Sequence, residues 1–323
     1  MLGIQTESHG ETNRCPQPSG CTLAATNVDG MAARVCVVGS VNMDLTAHVE
    51  TLPRPGETVL ASSLTHSPGG KGGNQAVAAA RAGAQVQFVG AVGDDAAAEQ
   101  LRAHLLANGV GLNGTVTVPG ASGTALIVVD AGAENTIVVA PEANGRLILD
   151  DEEVRAAIAD CDVLLTQLEI PVAAALTAAR QARSAGAVVM VNASPAGQVS
   201  WALAELAAVA DVVVVNEAEA DEWPWRPDHL VVTLGARGAR YIGADGEFEV
   251  PAPAVAPVDT TGAGDVFAGV LAANWQDASD PARRLRAMRR ATAAGALATL
   301  VPGAGDCAPD AEAIDAAIAA GRA

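Results

Sequence analysis

Short apolar runs alternate with alanine-rich stretches along most of this chain, and this alternation constrains the fold more than any other feature. The apolar runs have the length of buried strands, and the alanine-rich stretches have the length and period of helices. Strands are predicted over 34–39, 86–92, 163–167, 188–192, 212–216 and 230–234, and helices over 72–82, 96–108, 172–185, 199–210, 264–274, 281–299 and 310–320. Continuous apolar strands separated by helices predict an α/β fold with a central, mostly parallel sheet flanked by helices on both faces.

Two segments, 45–67 and 115–140, break this alternation. They are rich in Thr, Val and Ser, contain glycine and proline turns, and have little helical period. We expect them to form strands of a small β-sheet lid outside the main sheet. A lid would exclude water from a reaction beneath it, and its exposed strands would be candidates for pairing two subunits into a homodimer.

The first 30 residues differ from everything that follows. They are rich in Gly, Thr, Asn, Pro and Ser without a strand or helix period, so a disordered extension is predicted, followed by a single domain over 31–323. A short metal-binding tail through His9, Cys15 and Cys21 is the alternative. The five cysteines are scattered and form no C-x-x-C pair, so they predict neither a disulfide framework nor a zinc site.

Composition and charge exclude several classes of function. The formal net charge is −18, and only three Phe, one Tyr and four Trp are present. A nucleic-acid partner is therefore not expected, because the chain lacks both a basic face and aromatic platforms for bases. No run of 18 apolar residues and no secretory signal pattern occurs, so we expect no membrane partner and a cytoplasmic location.

The stretch 259–265 (DTTGAGD), followed by an apolar run, combines a glycine turn with the start of a helix. The first amides of a helix attract anions such as phosphate oxygens. Asp265 at that position would repel a phosphate, but it could take a proton from a hydroxyl while the amides of Gly262, Ala263 and Gly264 hold the charge on a transferred phosphoryl group. The alternative is a plain glycine turn in which Asp265 favours the helix dipole.

A second glycine cluster, 69–74, lies just before a predicted helix. It is not a P-loop, and it lies too far from the first strand for a dinucleotide-binding fingerprint. Lys71 and Asn74 offer donors suited to a polyhydroxy ligand. Asn42 and Asp44 follow the first strand, at the sheet edge where ligands bind in open α/β folds.

Six motifs together carry a resemblance. They are 38–44 (VGSVNMD), 55–58 (PGET), 69–75 (GGKGGNQ), 216–219 (NEAE), 233–238 (TLGARG) and 259–265 (DTTGAGD). In this order and spacing the chain resembles the ribokinase/PfkB family of sugar kinases, from about residue 35 to the C terminus.

The resemblance implies an ATP-dependent kinase that uses Mg²⁺ and phosphorylates D-ribose at its 5-hydroxyl. Asp265 would be the base, and Gly262, Ala263 and Gly264 would form the anion hole. The sugar would be held by Asn42, Asp44, Gly70, Lys71, Asn74 and Glu169. The resemblance assigns Asn216 to ATP and Glu219 to the Mg²⁺ shell, and it places Thr233, Gly235, Gly238 and Gly264 against the nucleotide.

The resemblance also implies an activating K⁺ site beside the anion hole. Its ligands would come from Asp259, Thr261, Ala298, Val301, Gly303 and Cys307. Members of the family usually carry a serine at the last position. Because a thiol is a poor ligand for a hard cation, Cys307 predicts weaker activation or a water in place of the hydroxyl.

A second departure concerns the segment between Glu219 and Thr233. The family places a helix of about four turns there, whereas 221–227 (DEWPWRP) holds two prolines and cannot form one. Trp223 and Trp225 are expected to cover the sheet surface that this helix would have buried. Without the family, the acidic residues 217–222 would be interpreted as a solvated helix face.

Three other functions stay open at this point. The first is another sugar or nucleoside kinase of the family, acting on deoxyribose, fructose or a nucleoside. The second is a nucleotide-binding oxidoreductase, which the displaced glycines disfavour. The third is a sugar sensor with an inactive kinase site, which the presence of Asp265, Asn216 and Glu219 disfavours.

Overall fold

A computed structural model of the protein describes residues 32–132, 134–197, 200–276 and 280–321. The predicted disordered extension 1–30, and its alternative as a metal-binding tail, lie outside these residues.

Strands alternate with helices along the chain. The strands are β1 (Arg34–Val38), β2 (Asn42–His48), β3 (Ser63–Gly69), β4 (Gln85–Val92), β5 (Val110–Thr117), β6 (Gly123–Val129), β7 (Asn135–Ala140), β8 (Val163–Thr166), β9 (Val188–Asn192), β10 (Val212–Asn216), β11 (His229–Thr233), β12 (Ala239–Gly243) and β13 (Gly246–Val250). The helices are α1 (Lys71–Arg81), α2 (Ala96–Ala107), α3 (Glu152–Ala159), α4 (Val172–Ser184), α5 (Trp201–Val209), α6 (Glu217–Glu222), α7 (Ala263–Ala273), α8 (Pro281–Ala298) and α9 (Ala311–Ala320).

Nine strands form the main sheet, in the order β13-β12-β11-β10-β9-β8-β1-β4-β5. The seven strands from β11 to β5 in this order pair in parallel, whereas β12 and β13 are antiparallel. The predicted mostly parallel sheet is therefore confirmed. The sequence prediction missed β5, β12, β13 and the short helix α3, because their apolar residues are interrupted by Gly, polar side chains or charges.

Two hydrophobic cores lie on opposite faces of the main sheet. Along β1, Val35 and Val37 belong to the core with α1, α2, α7, α8 and α9, whereas Cys36 and Val38 belong to the core with α3, α4 and α5. Successive side chains of a strand point to opposite faces, so a strand covered on both sides must be apolar throughout. The run of four valines in β10 meets this requirement, since all four are buried.

The lid is a separate four-stranded sheet in the order β3-β2-β6-β7. It confirms strands outside the main sheet, but the bounds differ from 45–67 and 115–140. Thr115–Thr117 completes β5 and belongs to the main sheet, while β2 begins at Asn42 and β3 ends at Gly69. Alternation alone could not assign β5 and β6 to different sheets, because it indicates that a segment is a strand but not which strand it pairs with.

The segment between Glu219 and Thr233 holds only the six-residue helix α6. No helix follows α6 before β11, so the predicted absence of a four-turn helix is confirmed. Trp223 and Trp225 contact each other edge to face, with ring centroids 4.9 Å apart, and both pack against the core that contains Val213 and Val232. They cover part of the sheet surface that a longer helix would have covered.

Among the described residues, no helix is both long enough and apolar enough to cross a membrane.

Candidate active site

The candidate active site lies where the carboxyl ends of the parallel strands meet the first turns of α1 and α7. Side chains reach it from the residues that follow β1, β8, β9 and β10 and from both helices. A cavity of about 150 Å³ at this edge is lined by Lys71, Asn192, Ser194, Val214, Val215, Asn216, Glu219, Thr233, Gly262, Gly264 and Asp265. The topology therefore brings together residues from four of the six sequence motifs, 69–75, 216–219, 233–238 and 259–265, with residues at and after the end of β9, as expected for an open α/β sheet.

The start of α7 is shaped by Gly262. This residue caps the helix with φ 79° and ψ −9°, and a Cβ on it would lie 2.8 Å from Cα of Ala304. Both the left-handed backbone and the close approach require glycine. Beyond it, a Cβ on Gly264 would meet open space, so the first turn of α7 faces the cavity. The amide of Ala263 donates to the Thr260 carbonyl at 3.3 Å, which makes it the least available of the three predicted anion-hole donors.

Asp265 is buried in the first turn of α7 and accepts two hydrogen bonds from amide side chains. Asn74 Nδ2 donates to Oδ2 at 3.1 Å, and Gln75 Nε2 donates to Oδ1 at 2.9 Å. Each carboxylate oxygen has further lone pairs, so the group can still accept a proton or a hydroxyl from a ligand in the cavity. Asn74 was predicted to hold the sugar; here it also contacts the predicted base.

The remaining predicted sugar ligands lie where β2 of the lid meets the start of α1. Asn42 and Asp44 on β2 are buried, and Asn42 Oδ1 accepts from Asn144 Nδ2 at 2.8 Å. Gly70 caps α1 with φ 87°, and a Cβ there would lie 2.7 Å from the Asn42 amide nitrogen. The glycine therefore lets α1 start directly against β2.

Asp44 is a buried carboxylate with one oxygen, Oδ1, that has no hydrogen-bond partner within the described part of the chain. A Cβ on Gly69, which pairs with Asn42, would lie 2.0 Å from the other oxygen, so the carboxylate lies directly over that glycine. Burial, reinforced by the charges of Glu169 and Asp265, raises the pKa of Asp44 to about 7. A sugar hydroxyl that donates to Oδ1 would satisfy this oxygen.

Glu169 and Lys71 lie between the predicted sugar ligands on β2 and the cavity. Glu169 Oε2 accepts from Ser40 Oγ at 2.6 Å and from the Lys71 amide at 3.3 Å. Burial lowers the pKa of the Lys71 ammonium, but the charges of Asp265, Glu169 and Glu219 outweigh burial and raise it overall. Lys71 therefore stays protonated, within the electrostatic influence of the carboxylates of Asp265, Glu169 and Glu219.

Asn216 and Glu219 form a reciprocal capping box at the start of α6. Asn216 Oδ1 accepts from the Glu219 amide, and Glu219 Oε2 accepts from the Asn216 amide, both at 2.8 Å. The structure thus gives both residues a local role besides the predicted ones. No cluster of three or more His, Cys, Asp or Glu side chains suited to a metal occurs among the described residues. Mg²⁺ at Glu219 would depend on water and substrate phosphates, as is usual for this ion.

A larger cavity of about 820 Å³ opens beyond β10 and β11 and shares Asn216, Thr233 and Gly264 with the smaller one. Its walls are mostly small or apolar. They are formed by Asn216, Glu217, Ala218, Thr233, Gly235, Ala236, Gly238, Ala252, Pro253, Ala254, Val255, Pro257, Thr260, Ala263, Gly264, Phe267, Thr292, Gly295, Ala296 and Thr299. Thr233, Gly235 and Gly238, which were predicted to lie against the nucleotide, line this cavity. Thr292 also lines it, with a buried hydroxyl that has no partner in the described ranges, and the sequence prediction did not include it.

The predicted K⁺ ligands converge on the loop after α8. Asp259 accepts from the amides of Thr261 at 2.9 Å and Gly303 at 2.8 Å; burial raises its pKa, but these hydrogen bonds outweigh burial and lower it overall. Cys307 Sγ contacts the Thr261 carbonyl at 3.9 Å and the Ala304 carbonyl at 3.3 Å. Burial and the charge of Asp265 raise the pKa of this thiol to about 11.

Two further predicted K⁺ ligands, Ala298 and Val301, would bind through their backbone carbonyls. The Ala298 carbonyl, at the end of α8, accepts from the Val301 amide at 3.2 Å, so one of its two lone pairs is already used. Val301 itself is exposed, and its carbonyl belongs to the turn that leads to Gly303. The oxygen-rich character of the loop fits a hard monovalent cation, with the thiol of Cys307 as its weakest donor.

Sequence reasoning missed the amide side chains behind Asp265. Gln75, Gln167 and Asn192 form a buried hydrogen-bonded chain, and Asn144 supports Asn42. Asn192 ends β9 and Gln167 directly follows β8, so the strand-end rule that pointed to Asn42 could also have found them.

The chain matches the model of the pfkB family of carbohydrate kinases over residues 32–311. It is 37% identical over 270 residues to a ribokinase of Bacillus subtilis, covering 80% of this chain and 90% of that protein. It is 33% identical over 272 residues to a deoxyribokinase of Salmonella typhi, covering 76% and 87%. A bifunctional ribokinase/ribose-5-phosphate isomerase A of Fructilactobacillus sanfranciscensis is 33% identical over 303 residues. This match covers 87% of this chain and 55% of that protein.

The fold is also similar to that of solved structures. The structure of Arabidopsis thaliana ribokinase complexed with ribose and ATP is 27% identical, with a TM-score of 0.79 and coverage of 89% of this chain and 99% of that one. Because the family model matches most of the chain and several relatives exceed 30% identity over two thirds of it or more, this chain belongs to the pfkB family of carbohydrate kinases.

Proposed function

We propose that this protein transfers the γ-phosphoryl group of ATP to the 5-hydroxyl of D-ribose, giving D-ribose 5-phosphate and ADP. The observation that carries the proposal is the position of Asp265. This buried carboxylate accepts from Asn74 and Gln75, lies in the first turn of a helix beside Gly264, and faces a cavity joined to the larger apolar one. A carboxylate in this position suits proton abstraction from an alcohol, not phosphate binding.

In this mechanism Asp265 accepts the proton of the sugar 5-hydroxyl as the hydroxyl oxygen attacks the γ-phosphorus in line. The bond from phosphorus to the β–γ bridging oxygen breaks, and ADP leaves. The first amides of α7, above all those of Gly262 and Gly264, and the protonated Lys71 stabilise the negative charge on the transferred group. Glu219, with Asn216, would hold Mg²⁺, which would neutralise charge on the phosphates.

The buried polar side chains of the predicted sugar ligands support a sugar as the acceptor. Asn42 and Asp44 are buried, Lys71 and Glu169 are partly buried, and Oδ1 of Asp44 needs a donor. A sugar that lacks a hydroxyl would leave such groups unpaired, which costs about 1–3 kcal/mol for each buried group. This reasoning favours ribose over 2-deoxyribose, the substrate that the name of the Salmonella typhi relative implies.

A substrate panel tests the proposal. ADP release is measured with coupling enzymes for ribose, 2-deoxyribose, fructose and other sugars and for nucleosides, with Asp265→Asn as the blank in every assay. We expect the highest kcat/KM for ribose. Equal activity on 2-deoxyribose would contradict ribose specificity, and saturable ribose binding without phosphate transfer would favour a sugar sensor.

The lid suggests a homodimer. Leu64, Leu126, Ile137 and Val138 on its strands are 59%, 47%, 47% and 58% exposed, and β3 and β7 are edge strands. Apolar side chains on an exposed sheet favour pairing with a second copy. Light scattering of the native protein and of Ile137→Lys tests this pairing, and a monomer in both samples would contradict it.

A further inference from the structure

We propose that Gln75 is a positioning residue that fixes the orientation of the Asp265 carboxylate, through a chain of buried amides that begins at Gln167. The inference rests on the proposed function, in which Asp265 is the base. Gln75 is fully buried on the second turn of α1, and its side chain contacts three polar groups at once. Its Nε2 donates to Asp265 Oδ1 at 2.9 Å and to Asn192 Oδ1 at 3.0 Å, and its Oε1 accepts from Gln167 Nε2 at 2.6 Å.

The direction of the hydrogen bonds in this chain is fixed by its ends. Asn192 Nδ2 donates to the Val214 carbonyl at 3.1 Å, so the amide oxygen of Asn192 must face Gln75. At the Asp265 end the carboxylate can only accept, so the Gln75 nitrogen faces it and Gln75 Oε1 is left to accept from Gln167 Nε2. The amide oxygen of Gln167 then faces Gly39 and has no partner among the described residues. Turning the Gln75 amide around would therefore set oxygen against oxygen and nitrogen against nitrogen.

The backbone supports the same contact. A Cβ on Gly269, one turn beyond Asp265 on α7, would lie 2.3 Å from the Gln75 carbonyl oxygen, so α1 and α7 touch at this point. The donor and the carboxylate are thus carried on two helices in direct contact. A site on packed helices holds its geometry better than a site on loops.

Gln75 and Asn74 bind different oxygens of Asp265. Because Asn74 holds Oδ2 and Gln75 holds Oδ1, the plane of the carboxylate is determined, and each oxygen keeps a lone pair for the substrate hydroxyl. With Gln75 removed, the carboxylate can rotate about a single hydrogen bond from Asn74. A reacting group that leaves its productive geometry loses rate more than binding.

The test compares Gln75→Met, Gln167→Met and Gln87→Met with the native enzyme. Methionine keeps the length and volume of glutamine but neither donates nor accepts strongly. Gln87 is the control: a partly buried glutamine on β4 whose amide oxygen has no partner among the residues described, and which contacts no group of the site named above. For Gln75→Met we expect kcat per folded protein to fall about 10- to 100-fold, as for supporting residues of other sites, with both KM values little changed.

Gln167→Met should lower kcat in the same direction but by less, because it frees the Gln75 amide without removing it. It also keeps the inference testable if Gln75→Met does not fold.

The pH profile gives a readout that a purely structural role would not change. Gln75→Glu places a second carboxyl group against Asp265, so the acidic limb of its kcat profile should move to higher pH.

Native kcat in folded Gln75→Met, or an unmoved acidic limb in Gln75→Glu, would overturn the inference. A failure of the proposed function is separate: the native protein would then phosphorylate no sugar in the panel. In that case a double-mutant cycle of Gln75→Met and Asp265→Asn, measured in the free energy of unfolding, tests whether the two side chains interact. Coupling would show that Gln75 orients Asp265 for another reaction, and its absence would overturn the inference as well.

Discussion

The two ends of the active-site cleft are built differently. At the proposed sugar end, Asn42 and Asp44 are 2% and 8% exposed; Asn42 Oδ1 accepts from Asn144 Nδ2, while Asp44 Oδ1 has no partner among the described residues. At the nucleotide end, the larger cavity is lined by small and apolar residues such as Ala254, Pro257 and Phe267, and its buried Thr292 hydroxyl has no partner among the described residues.

The difference shows how one cleft can treat its two ligands unequally. A buried set of donors and acceptors rejects a ligand that lacks one partner, because each unpaired group is costly. An apolar cavity discriminates mainly by shape and contributes affinity through buried area. We therefore expect substitutions at the sugar end to change kinetics more than substitutions at the nucleotide end.

The largest effect is expected where the two ends meet. Asp265→Asn removes the group that accepts the proton, so kcat should fall about 10²- to 10⁴-fold, with modest changes in the KM of either substrate. Steady-state kinetics with saturating ATP measures this loss. Asp130→Asn, in a turn of the lid where Asp130 accepts from the Gly132 amide at 2.8 Å, is the control. Near-normal turnover in Asp265→Asn would show that Asp265 is not the base.

A smaller effect is expected at the sugar end alone. At a pH above the Asp44 pKa of about 7, Asp44→Asn replaces a charged acceptor by a neutral amide, so the KM for the sugar should rise about 10- to 100-fold, while the KM for ATP stays the same. Initial rates over both substrate concentrations separate the two constants. A rise in the KM for ATP instead would show that Asp44 acts on the nucleotide side, against the division between the two ends.

Asp44 should also link stability to pH. Its pKa is raised from 3.8 to about 7, so between about pH 4 and pH 7 the folded protein holds a proton that the unfolded chain has lost. Stability from this group is therefore present at low pH and decreases as pH rises through that window, by at most about tenfold in the unfolding constant per pH unit. Urea unfolding of the native protein and of Asp44→Asn at several pH values measures the difference. Parallel pH curves for the two would contradict the prediction.

At the nucleotide end, Thr292→Val tests whether the buried hydroxyl binds the ligand. Loss of a hydrogen bond should raise the KM for ATP about 2- to 10-fold and leave the KM for the sugar unchanged. Thr177→Val on the exposed face of α4 is the control. An unchanged KM for ATP, together with a higher Tm, would show that the hydroxyl faces no ligand, since valine would then relieve an unpaired polar group.

The smallest effect is expected at the proposed K⁺ site. Cys307 remains a thiol at neutral pH, because its pKa is raised to about 11, and Cys307→Ser supplies an oxygen in its place. The K⁺ concentration that gives half-maximal activation should fall a few-fold, with little change in the rate at saturation. Titration with KCl at constant ionic strength, balanced with choline chloride, measures it. Identical K⁺ dependence in both proteins would show that residue 307 is not a ligand.

The fold and the ends of the cleft could be predicted to different degrees. The four valines of β10 and the alanine-rich helices follow from local composition, so the parallel sheet was predictable. Asn42, Lys71 and Asp265 could be found because each lies in a motif at a strand end or helix start. Thr292 lies inside the ordinary helix α8, and although Gln75 ends the motif 69–75 and Gln167 follows β8, nothing local shows which polar groups their side chains meet.

The sequence by itself determined the strand and helix order, the glycine turns at Gly70 and Gly262, and the carboxylate of Asp265. These features depend on neighbours within one or two turns of chain, through backbone freedom and periodic burial. Only the tertiary structure decided which polar group each of them meets. Gln75 contacts Asn192 and Asp265, which are 117 and 190 positions away, because parallel pairing of the strands and the contact of α1 with α7 bring them together. Hydrogen bonds across such distances depend on packing, which no local pattern encodes.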